Sequence, residues 1–281
     1  MIEVSVIIPF YSSESGRLNQ AVESVLNQSA KNIEVIVVDD CSPISAEQEL
    51  IHLCDPRIKI IRHDKNTNGG IARNTGIDYA TGEFIAFLDY DDIWYSDKLE
   101  KQLAFWQSVK SDSAVTYCKC KIIEGSRVFD RPERGIKAQE RVGDYLFANK
   151  QIIQTSGIFL PASLAKRVKF HDLKRHQDYQ FCLSLEAEGA TFHYFDEVLY
   201  EFIQIPKLID YQFSSNWLSN YKQYLSYNAV VGFKKLVVLR AKISHGKYCD
   251  ALQYAIGNGI LRSFIKTIFF NLAKKIIKRV S

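Results

Sequence analysis

The chain has 281 residues, of which 47% are hydrophobic and 24% are charged, and its formal net charge is +4. This composition is typical of a globular protein and excludes a disordered or low-complexity chain. The length allows one large domain or one domain with an appendage, and so weak a positive charge gives no reason to expect a nucleic-acid partner.

The first 110 residues alternate between predicted strands and helices. Continuous apolar runs rich in β-branched residues indicate buried strands, and apolar residues at three- and four-residue spacing indicate helices. We predict strands at 4–9, 33–38, 59–62 and 84–88, and helices at 17–27, 45–53, 70–80 and 96–110. Ser96 is the expected N-cap of the last of these helices. Such alternation is typical of an α/β fold in which a mostly parallel sheet has helices on both faces.

The second half of the chain is less regular. Three further strands are predicted at 114–121, 156–160 and 192–202, and a helix at 177–188 ends before Gly189. Residues 125–141 are rich in charge and contain Pro132 and Gly135, so we expect a mobile loop there. From about residue 217 the pattern is mostly helical. We therefore expect a ligand-binding and catalytic domain over residues 1–210 and a helical C-terminal region over residues 211–281.

Three carboxylates follow the fourth predicted strand, at Asp89, Asp91 and Asp92. Parallel sheets bind ligands beyond the carboxyl ends of their strands, and an oxygen-rich group there suits a hard divalent cation, Mg²⁺ or Mn²⁺. The alternative is a solvated turn that caps the next helix. The position after a buried apolar strand favours the metal site.

Three other strand or helix ends carry candidate site residues. Asp39 and Asp40 end the second strand and could bind a base or ribose, or could simply cap a turn. Arg73 follows a glycine-bearing loop and could contact a phosphate, although it could equally lie on a solvated helix face. Asp178 begins a helix, where it could act as a general base or only favour the helix N-terminus electrostatically.

Five segments, taken together and in order, resemble glycosyltransferase family 2. They are VSVIIPFY at 4–11, SVLNQS at 24–29, EVIVVDDCS at 34–42, NGGIARNTG at 68–76 and GEFIAFLDYDD at 82–92. A weaker similarity extends to about residue 200, where Gln177 and Asp178 stand at the family's usual Glu-Asp pair. The resemblance implies a GT-A fold and transfer of a sugar from a nucleotide diphosphate donor with inversion at the anomeric carbon.

The resemblance also implies roles for particular residues. Asp178 would be the base that deprotonates the acceptor hydroxyl. Asp91 would coordinate a Mn²⁺ or Mg²⁺ ion that bridges the two phosphates, with Asp89 and Asp92 as its neighbours. The implied nucleotide-binding residues are Pro9, Phe10, Tyr11, Asp39, Asp40, Arg73 and Asp89. The sequence departs from the family pattern at Gln177 and in residues 200–204, which lack the family's Arg and His.

The resemblance further predicts the substrates and setting. We expect a UDP-sugar donor, UDP-glucose or UDP-galactose, and an acceptor that is a saccharide or a sugar on a lipid diphosphate, in assembly of a bacterial surface polysaccharide such as O-antigen or capsule. A nucleotidyltransferase or a nucleotide-sugar hydrolase using the same crevice remains an alternative, as does a non-catalytic sugar-nucleotide-binding protein.

The location of the protein is predicted from its cysteines and its tail. Six scattered cysteines and no signal peptide indicate the cytoplasm, and no apolar stretch reaches the roughly 18 residues of a membrane span. Residues 260–281 combine an apolar helical stripe with six basic residues between Arg262 and Arg279 and no acid. This pattern predicts peripheral contact with an anionic membrane at its cytoplasmic face. The alternative is a terminal helix packed on the catalytic domain.

Overall fold

The computed structural model describes residues 2–204 and 208–280, with side chains described as far as Asn271 in the last helix. The chain divides into two compact units, one of residues 1–138 and 152–205 and one of residues 139–151 and 206–281. The second unit therefore includes residues 139–151, which lie within the expected catalytic domain of residues 1–210.

The first unit contains a nine-stranded sheet and the first six helices. The strands are β1 Val4–Phe10, β2 Ile33–Asp39, β3 Ile58–Arg62, β4 Phe84–Phe87, β5 Ile93–Trp94, β6 Ala114–Glu124, β7 Arg127–Arg131, β8 Ile158–Pro161 and β9 Thr191–Ile203. The helices are α1 Arg17–Leu26, α2 Ala46–Glu49, α3 Gly69–Tyr79, α4 Lys98–Val109, α5 Ala162–Val168 and α6 Gln177–Ala187.

The sheet order is β3-β2-β1-β4-β8-β6-β9-β5, and β7 pairs with β6. The strands β3, β2, β1 and β4 are mutually parallel, as are β6 and β9, whereas β8 runs antiparallel to its neighbours β4 and β6. Most of the paired residues lie in the parallel ladders. The predicted α/β fold with a mostly parallel sheet is therefore confirmed.

Within the parallel part of the sheet, β1 and β2 are buried on both faces. All residues of β1 and β2 are buried, because helices cover both sides, and this explains why their sequences are continuously apolar rather than alternating. Helix α3 approaches β1 so closely that a Cβ atom on Gly76 would lie 2.4 Å from the Ile7 side chain. Glycine at this position lets α3 lie close to the sheet.

Several local predictions are wrong. Residues 125–141 do not form only a loop, because β7 within them pairs with β6 as a hairpin. The predicted helix at 45–53 is the single turn α2, and α4 begins after Asp97 rather than at a Ser96 cap. Strand β5 and helix α5 were not predicted, since each is too short to show a hydrophobic period.

The second unit is helical. Its helices are α7 Tyr211–Tyr221, α8 Tyr227–Phe233, α9 Arg240–Ser244, α10 Tyr248–Gly257 and α11 Leu261–Val280, with π-helical segments at Asp144–Ala148 and Lys234–Leu239. Phe147, Trp217 and Phe233 form its aromatic centre, in which Trp217 stacks on Phe233 with ring centroids 5.0 Å apart.

The predicted apolar stripe of α11 divides between two environments. Phe264 and Ile268 pack against a buried cluster formed with α9 and α10, whereas Leu261, Ile265 and Phe269 are exposed. Six further residues of the predicted stripe and basic set lie outside the described side chains, namely Leu272, Lys274, Lys275, Ile276, Lys278 and Arg279. Within residues 2–204 and 208–280, none of the helices combines the length and apolar character needed to span a bilayer.

Candidate active site

The predicted site residues lie at the carboxyl ends of β1, β2 and β4 and at the N-termini of α3 and α6. Phe10 and Asp39 are the last residues of β1 and β2 and are paired with each other in the ladder, while Asp89 lies two residues beyond β4. Because β1 lies between β2 and β4 in the sheet, the loops that follow these three strands emerge at one edge. The parallel topology therefore brings distant parts of the sequence together.

Asp39 is fully buried and organises the turn after β2. One carboxylate oxygen accepts a hydrogen bond from the Ser42 amide at 2.7 Å, and the other accepts from the Ala46 amide at 2.8 Å and from Arg62. This turn is also linked to the first loop, since the Ser42 hydroxyl donates to the Ser12 carbonyl at 2.8 Å. Asp39 thus sets the shape of two loops at the site edge.

Asp40 fixes the loop that precedes α3. Its carboxylate accepts hydrogen bonds from the Asn68 amide at 2.7 Å and from both the amide and the hydroxyl of Thr67, and it contacts His63 Nδ1 at 2.8 Å. Burial alone would raise the pKa of Asp40, but these donors outweigh it and hold the pKa below its usual value. Asp40 is therefore an anion that holds the strand end and the glycine-bearing loop together.

The aromatic residues of the first loop differ in exposure. Phe10 is buried and meets Tyr90 edge-on, with ring centroids 5.4 Å apart, whereas Tyr11 is 49% exposed. Pro9 is buried within β1. An exposed ring beside a rigid, buried aromatic pair is suited to stacking on a planar ligand such as a nucleobase.

Arg73 connects three segments of the site. Its side chain is only 7% exposed, and its guanidinium donates to Asp89 and, at 2.9 Å, to the amide oxygen of Gln177. Gln177 in turn donates to the Asn68 side chain at 3.2 Å. These bonds join the residue after β4, the N-terminus of α3 and the N-terminus of α6 through one buried cation.

The three acids after β4 differ in how deeply they are buried. Asp89 and Asp91 are partly exposed, whereas Asp92 is fully buried and accepts a hydrogen bond from the Ser156 hydroxyl at 2.6 Å. Burial, and then the charge of Asp89, raises the pKa of Asp92 well above its usual value, which favours a neutral carboxylic acid. Among the described side chains, no group of three or more His, Cys, Asp or Glu residues forms a metal cage.

These donors nevertheless suit a hard divalent ion. Mg²⁺ and Mn²⁺ sites on phosphate ligands commonly use one or two carboxylates and complete the coordination shell with phosphate oxygens and water. Asp89 and Asp91 offer two partly exposed carboxylates of this kind, while the other oxygen of buried Asp92 has no hydrogen-bond partner among the residues that the structure describes. The donor set therefore fits a metal ion that is held jointly by protein and diphosphate.

Asp178 lies in the first turn of α6 and is partly buried. Burial raises the pKa of Asp178 to about 6, although the Tyr179 amide and the charge of Arg73 oppose the rise. A carboxylate with a pKa near the working pH is both deprotonated at neutrality and basic enough to accept a proton. Two residues earlier, His176 has a left-handed backbone with a φ of 62°, which turns the chain sharply into the helix.

Three supporting residues were missed by sequence reasoning. Ser156 donates to Asp92, and its hydroxyl accepts from the Asp89 amide at 3.0 Å; His63 and Thr67 hold Asp40. None of them lies in a motif or at a periodic position, and Ser156 reaches the site from a segment 64 residues beyond Asp92. Only the fold identifies them.

Comparison with known proteins identifies the family of the chain. The family model described as "Glycosyl transferase family 2" matches residues 5–173. The amylovoran biosynthesis glycosyltransferase AmsB of Erwinia amylovora is 30% identical over 272 residues, covering 90% of this chain and 89% of that protein. The putative teichuronic acid biosynthesis glycosyltransferase TuaG of Bacillus subtilis is 30% identical over 81% of this chain and 88% of its own length.

Two further comparisons extend this picture. The Escherichia coli UDP-Glc:alpha-D-GlcNAc-diphosphoundecaprenol beta-1,3-glucosyltransferase WfgD is 36% identical, over 44% of this chain and 48% of that protein. The structure of S. aureus TarS residues 1–349 in complex with UDP-GlcNAc has the same fold, with a TM-score of 0.65 at 18% identity, covering 94% of this chain and 92% of that one. The family match, the similarity to polysaccharide glycosyltransferases over most of the chain and the shared fold agree: this chain belongs to glycosyltransferase family 2.

Proposed function

We propose that the chain is a metal-dependent, inverting hexosyltransferase that moves a sugar from a UDP-sugar, UDP-glucose or UDP-galactose, to a sugar hydroxyl of a lipid-diphosphate-linked acceptor. The observation that carries this proposal is the connection of Asp89, Arg73 and the N-terminal turn of α6, where Asp178 lies, by hydrogen bonds at one edge of the sheet. Donor-binding groups and a proton acceptor thereby share one rigid frame.

In this proposal the nucleotide lies across the carboxyl ends of β1, β2 and β4. Tyr11 stacks on the base, with Pro9 and Phe10 beneath it, and Asp40 with its neighbour Asp39 shapes the base and ribose pocket. Arg73 holds Asp89 in position beside the ribose.

Asp91 and Asp89 are the proposed metal-binding residues, and Asp92 supports them as a buried neighbour bonded to Ser156. When bound, the metal ion neutralises the charge that develops on the departing diphosphate.

Asp178 performs the proton transfer. Its carboxylate accepts the proton of the acceptor hydroxyl while that oxygen attacks the anomeric carbon on the face opposite the leaving UDP. Proton acceptance of this kind typically contributes about 10²–10⁴-fold to the rate. One attack without an intermediate on the protein inverts the anomeric configuration. The Arg73 charge close to Asp178 stabilises the carboxylate before reaction and keeps its pKa from rising further.

The names of the relatives support the choice of substrates. WfgD is named for transfer from UDP-glucose to a sugar on diphosphoundecaprenol, and the TarS structure contains UDP-GlcNAc. Both proteins therefore use or bind UDP-sugars. AmsB and TuaG are named for the biosynthesis of amylovoran and teichuronic acid, which supports a role in bacterial surface polysaccharide assembly.

Calorimetric titration of the full chain with UDP, GDP and CDP, each with and without Mn²⁺, tests the donor assignment. We expect UDP to bind at least tenfold more tightly than GDP or CDP, and only with the metal. Transfer is then measured with UDP-glucose and UDP-galactose on a lipid-diphosphate-linked sugar, with the anomeric configuration of the product read by NMR. Metal-independent binding, or a product with the donor's configuration, would contradict the proposal.

We also propose that α11 places the protein on an anionic membrane surface at the cytoplasmic face. The exposed side chains of Ile265 and Phe269 lie one turn apart on this basic helix, at 59% and 75% exposure. The double variant Ile265→Ser with Phe269→Ser should move the protein from the membrane to the soluble fraction. It keeps the packed residues Phe264 and Ile268, which a deletion of residues 260–281 would remove.

The matched control for this membrane test is Val128→Ser with Ile51→Ser. Both residues are exposed apolar side chains of the first unit. Equal partitioning of the α11 variant and the control variant would show that α11 makes no specific membrane contact.

A further inference from the structure

The second unit contains a pocket of about 860 Å³ whose lining includes none of the proposed donor-site or catalytic residues. Its walls come from the π-helical segment at Asp144–Ala148, from α8 and the segment Lys234–Leu239 that follows it, and from the first three turns of α11. All of its lining residues belong to this one compact unit, so the pocket is a feature of the unit itself.

The wall of the pocket next to α8 is closely packed. Gly232 meets the Phe147 backbone so closely that a Cβ atom would lie 2.2 Å from the Phe147 carbonyl oxygen. Behind this contact, Phe147 packs edge-on against Phe233 with ring centroids 5.0 Å apart, and Trp217 stacks on Phe233. The pocket therefore has a well-packed aromatic base.

Helix α11 presents a separate face to this pocket. Its lining residues recur at three- and four-residue spacing, as Ser263, Lys266, Thr267, Phe270 and Asn271. They differ from the pair that packs on α9 and α10 and from the stripe left exposed. Different faces of α11 therefore contact the buried cluster with α9 and α10, the pocket and solvent. Its polar positions are not simply a solvated face.

The charge of the pocket is entirely positive. Four of its lining residues are cations and none is an acid; they are Lys150, Lys235, Arg240 and Lys266. In the part of the chain that the structure describes, no ion pair joins any of these four to a carboxylate. The whole unit, residues 139–151 and 206–281, has fifteen Lys and Arg against four Asp and Glu, a formal charge of +11.

The remaining lining combines apolar side chains with five neutral polar residues, Asn228, Ser244, Ser263, Thr267 and Asn271. Phe147, Val231, Leu236 and Phe270 provide hydrocarbon and aromatic surface beside the four cations. A purely polyanionic ligand would make no use of these side chains, and a purely apolar ligand would leave four cations uncompensated. We infer that this pocket binds an amphiphile whose phosphate or diphosphate headgroup meets Lys235 and Arg240 and whose hydrocarbon chain lies along the apolar wall. The site is additional to the donor crevice, and a polyprenyl ligand for it rests on the acceptor class of the proposed function.

Two sources supply this chemistry, an anionic phospholipid of the membrane and a polyprenyl diphosphate that carries the acceptor sugar. The full chain is titrated with farnesyl diphosphate, a short polyprenyl diphosphate, and with inorganic pyrophosphate, and is sedimented with phosphatidylglycerol or phosphatidylcholine vesicles. We expect farnesyl diphosphate to bind at least tenfold more tightly than pyrophosphate, and phosphatidylglycerol vesicles to bind where phosphatidylcholine vesicles do not.

The decisive variant is Lys235→Gln with Arg240→Gln, and its control is Lys222→Gln with Lys234→Gln. Both pairs remove two positive charges from the same unit, but the control residues do not line the pocket. We expect the pocket variant to lose at least tenfold in affinity and the control to lose less than threefold. A loss for farnesyl diphosphate identifies the polyprenyl ligand, and a loss confined to phosphatidylglycerol vesicles identifies the phospholipid. Equal losses in the two variants would overturn the site.

A second variant tests the apolar wall without removing a charge. Phe270 is 57% exposed, so Phe270→Ser should leave the fold intact. This variant should bind farnesyl diphosphate at least fivefold more weakly and pyrophosphate with unchanged affinity. If Phe270→Ser changes neither affinity while Lys235→Gln with Arg240→Gln weakens only pyrophosphate binding, the pocket is a simple anion site and the amphiphile is rejected. Metal-dependent UDP binding is measured in every variant, because its retention separates failure of this site from failure of the proposed donor crevice.

Discussion

The two units differ in net charge and in whether their cations are paired with acids. In the first unit, two cations at the site edge are bonded to acids, Arg62 to Asp39 and Arg73 to Asp89, and the unit has a formal net charge of −7. In the second unit, which has a net charge of +11, the four cations around the pocket have no carboxylate partner among the described residues. The site cations of the first unit are already compensated by acids, whereas the pocket cations of the second unit would be compensated by a bound anion.

This difference indicates which charges position and which charges bind. A buried ion pair costs desolvation energy and contributes little net stability, but removing one partner leaves an uncompensated charge. Arg73 is therefore better suited to holding Asp89 and Gln177 in place than to capturing a ligand from solution. Exposed cations on a concave apolar surface keep their attraction for an incoming phosphate.

The largest effect is expected at Asp178, the acid of the first unit that is proposed to accept a proton during turnover. Asp178→Asn removes the proton acceptor but keeps the shape of the α6 terminus. We expect transfer to fall by about 10²–10⁴-fold, with metal-dependent UDP binding nearly unchanged, as measured by initial rates and calorimetry. The control is Asp112→Asn, an exposed acid of the same unit, which should keep full activity. Normal turnover in the Asp178 variant would remove it from the mechanism.

The next prediction breaks the charge pairing itself. Arg73→Gln leaves Asp89 without its cation and Gln177 without its donor, so we expect the free energy of unfolding to fall by about 2 kcal/mol, less than for a fully buried pair because Asp89 is 28% exposed. The control is Arg167→Gln, which breaks an exposed pair with Glu188 and should cost less than about 1 kcal/mol. Denaturant titration of both variants measures the difference; equal losses would show that Arg73 is no more structural than a surface residue.

Much of this arrangement was predictable from sequence, and the missing part has a physical reason. Strands such as β1 and β2 are buried on both faces, so their apolar runs and the acids that end them are visible in the sequence. The bonds of Arg73 to Asp89 and to Gln177 join residues 16 and 104 positions apart, and no local pattern encodes such a link. The pocket cations were equally hidden, because Lys235 and Arg240 resemble solvated helix residues until α11 is placed beside them.

The pH dependence tests the environment of Asp178 directly. Its pKa is raised to about 6 by burial, and the base must be deprotonated to act. The value of kcat/KM should therefore be constant above about pH 7 and fall about tenfold for each pH unit below about 6. Rates measured from about pH 3 to about pH 8 check this, and stability measured over the same range separates loss of the base from loss of the fold. A limb near about pH 4 would show that Asp178 is solvated like an ordinary aspartate.

The smallest expected effect adds an acid where the first unit has an amide. Gln177→Glu gives Arg73 a second carboxylate and places a negative charge next to Asp178 in the chain. The added charge should raise the pKa of Asp178, because two neighbouring carboxylates resist simultaneous ionisation, and so move the acid limb of kcat/KM to higher pH. The stronger bond to Arg73 opposes any loss of stability, so we expect rates above the limb to change less than threefold. A limb that moves to lower pH would contradict this prediction. It would mean that attraction between Asp178 and a repositioned Arg73 guanidinium outweighs the repulsion between the two carboxylates.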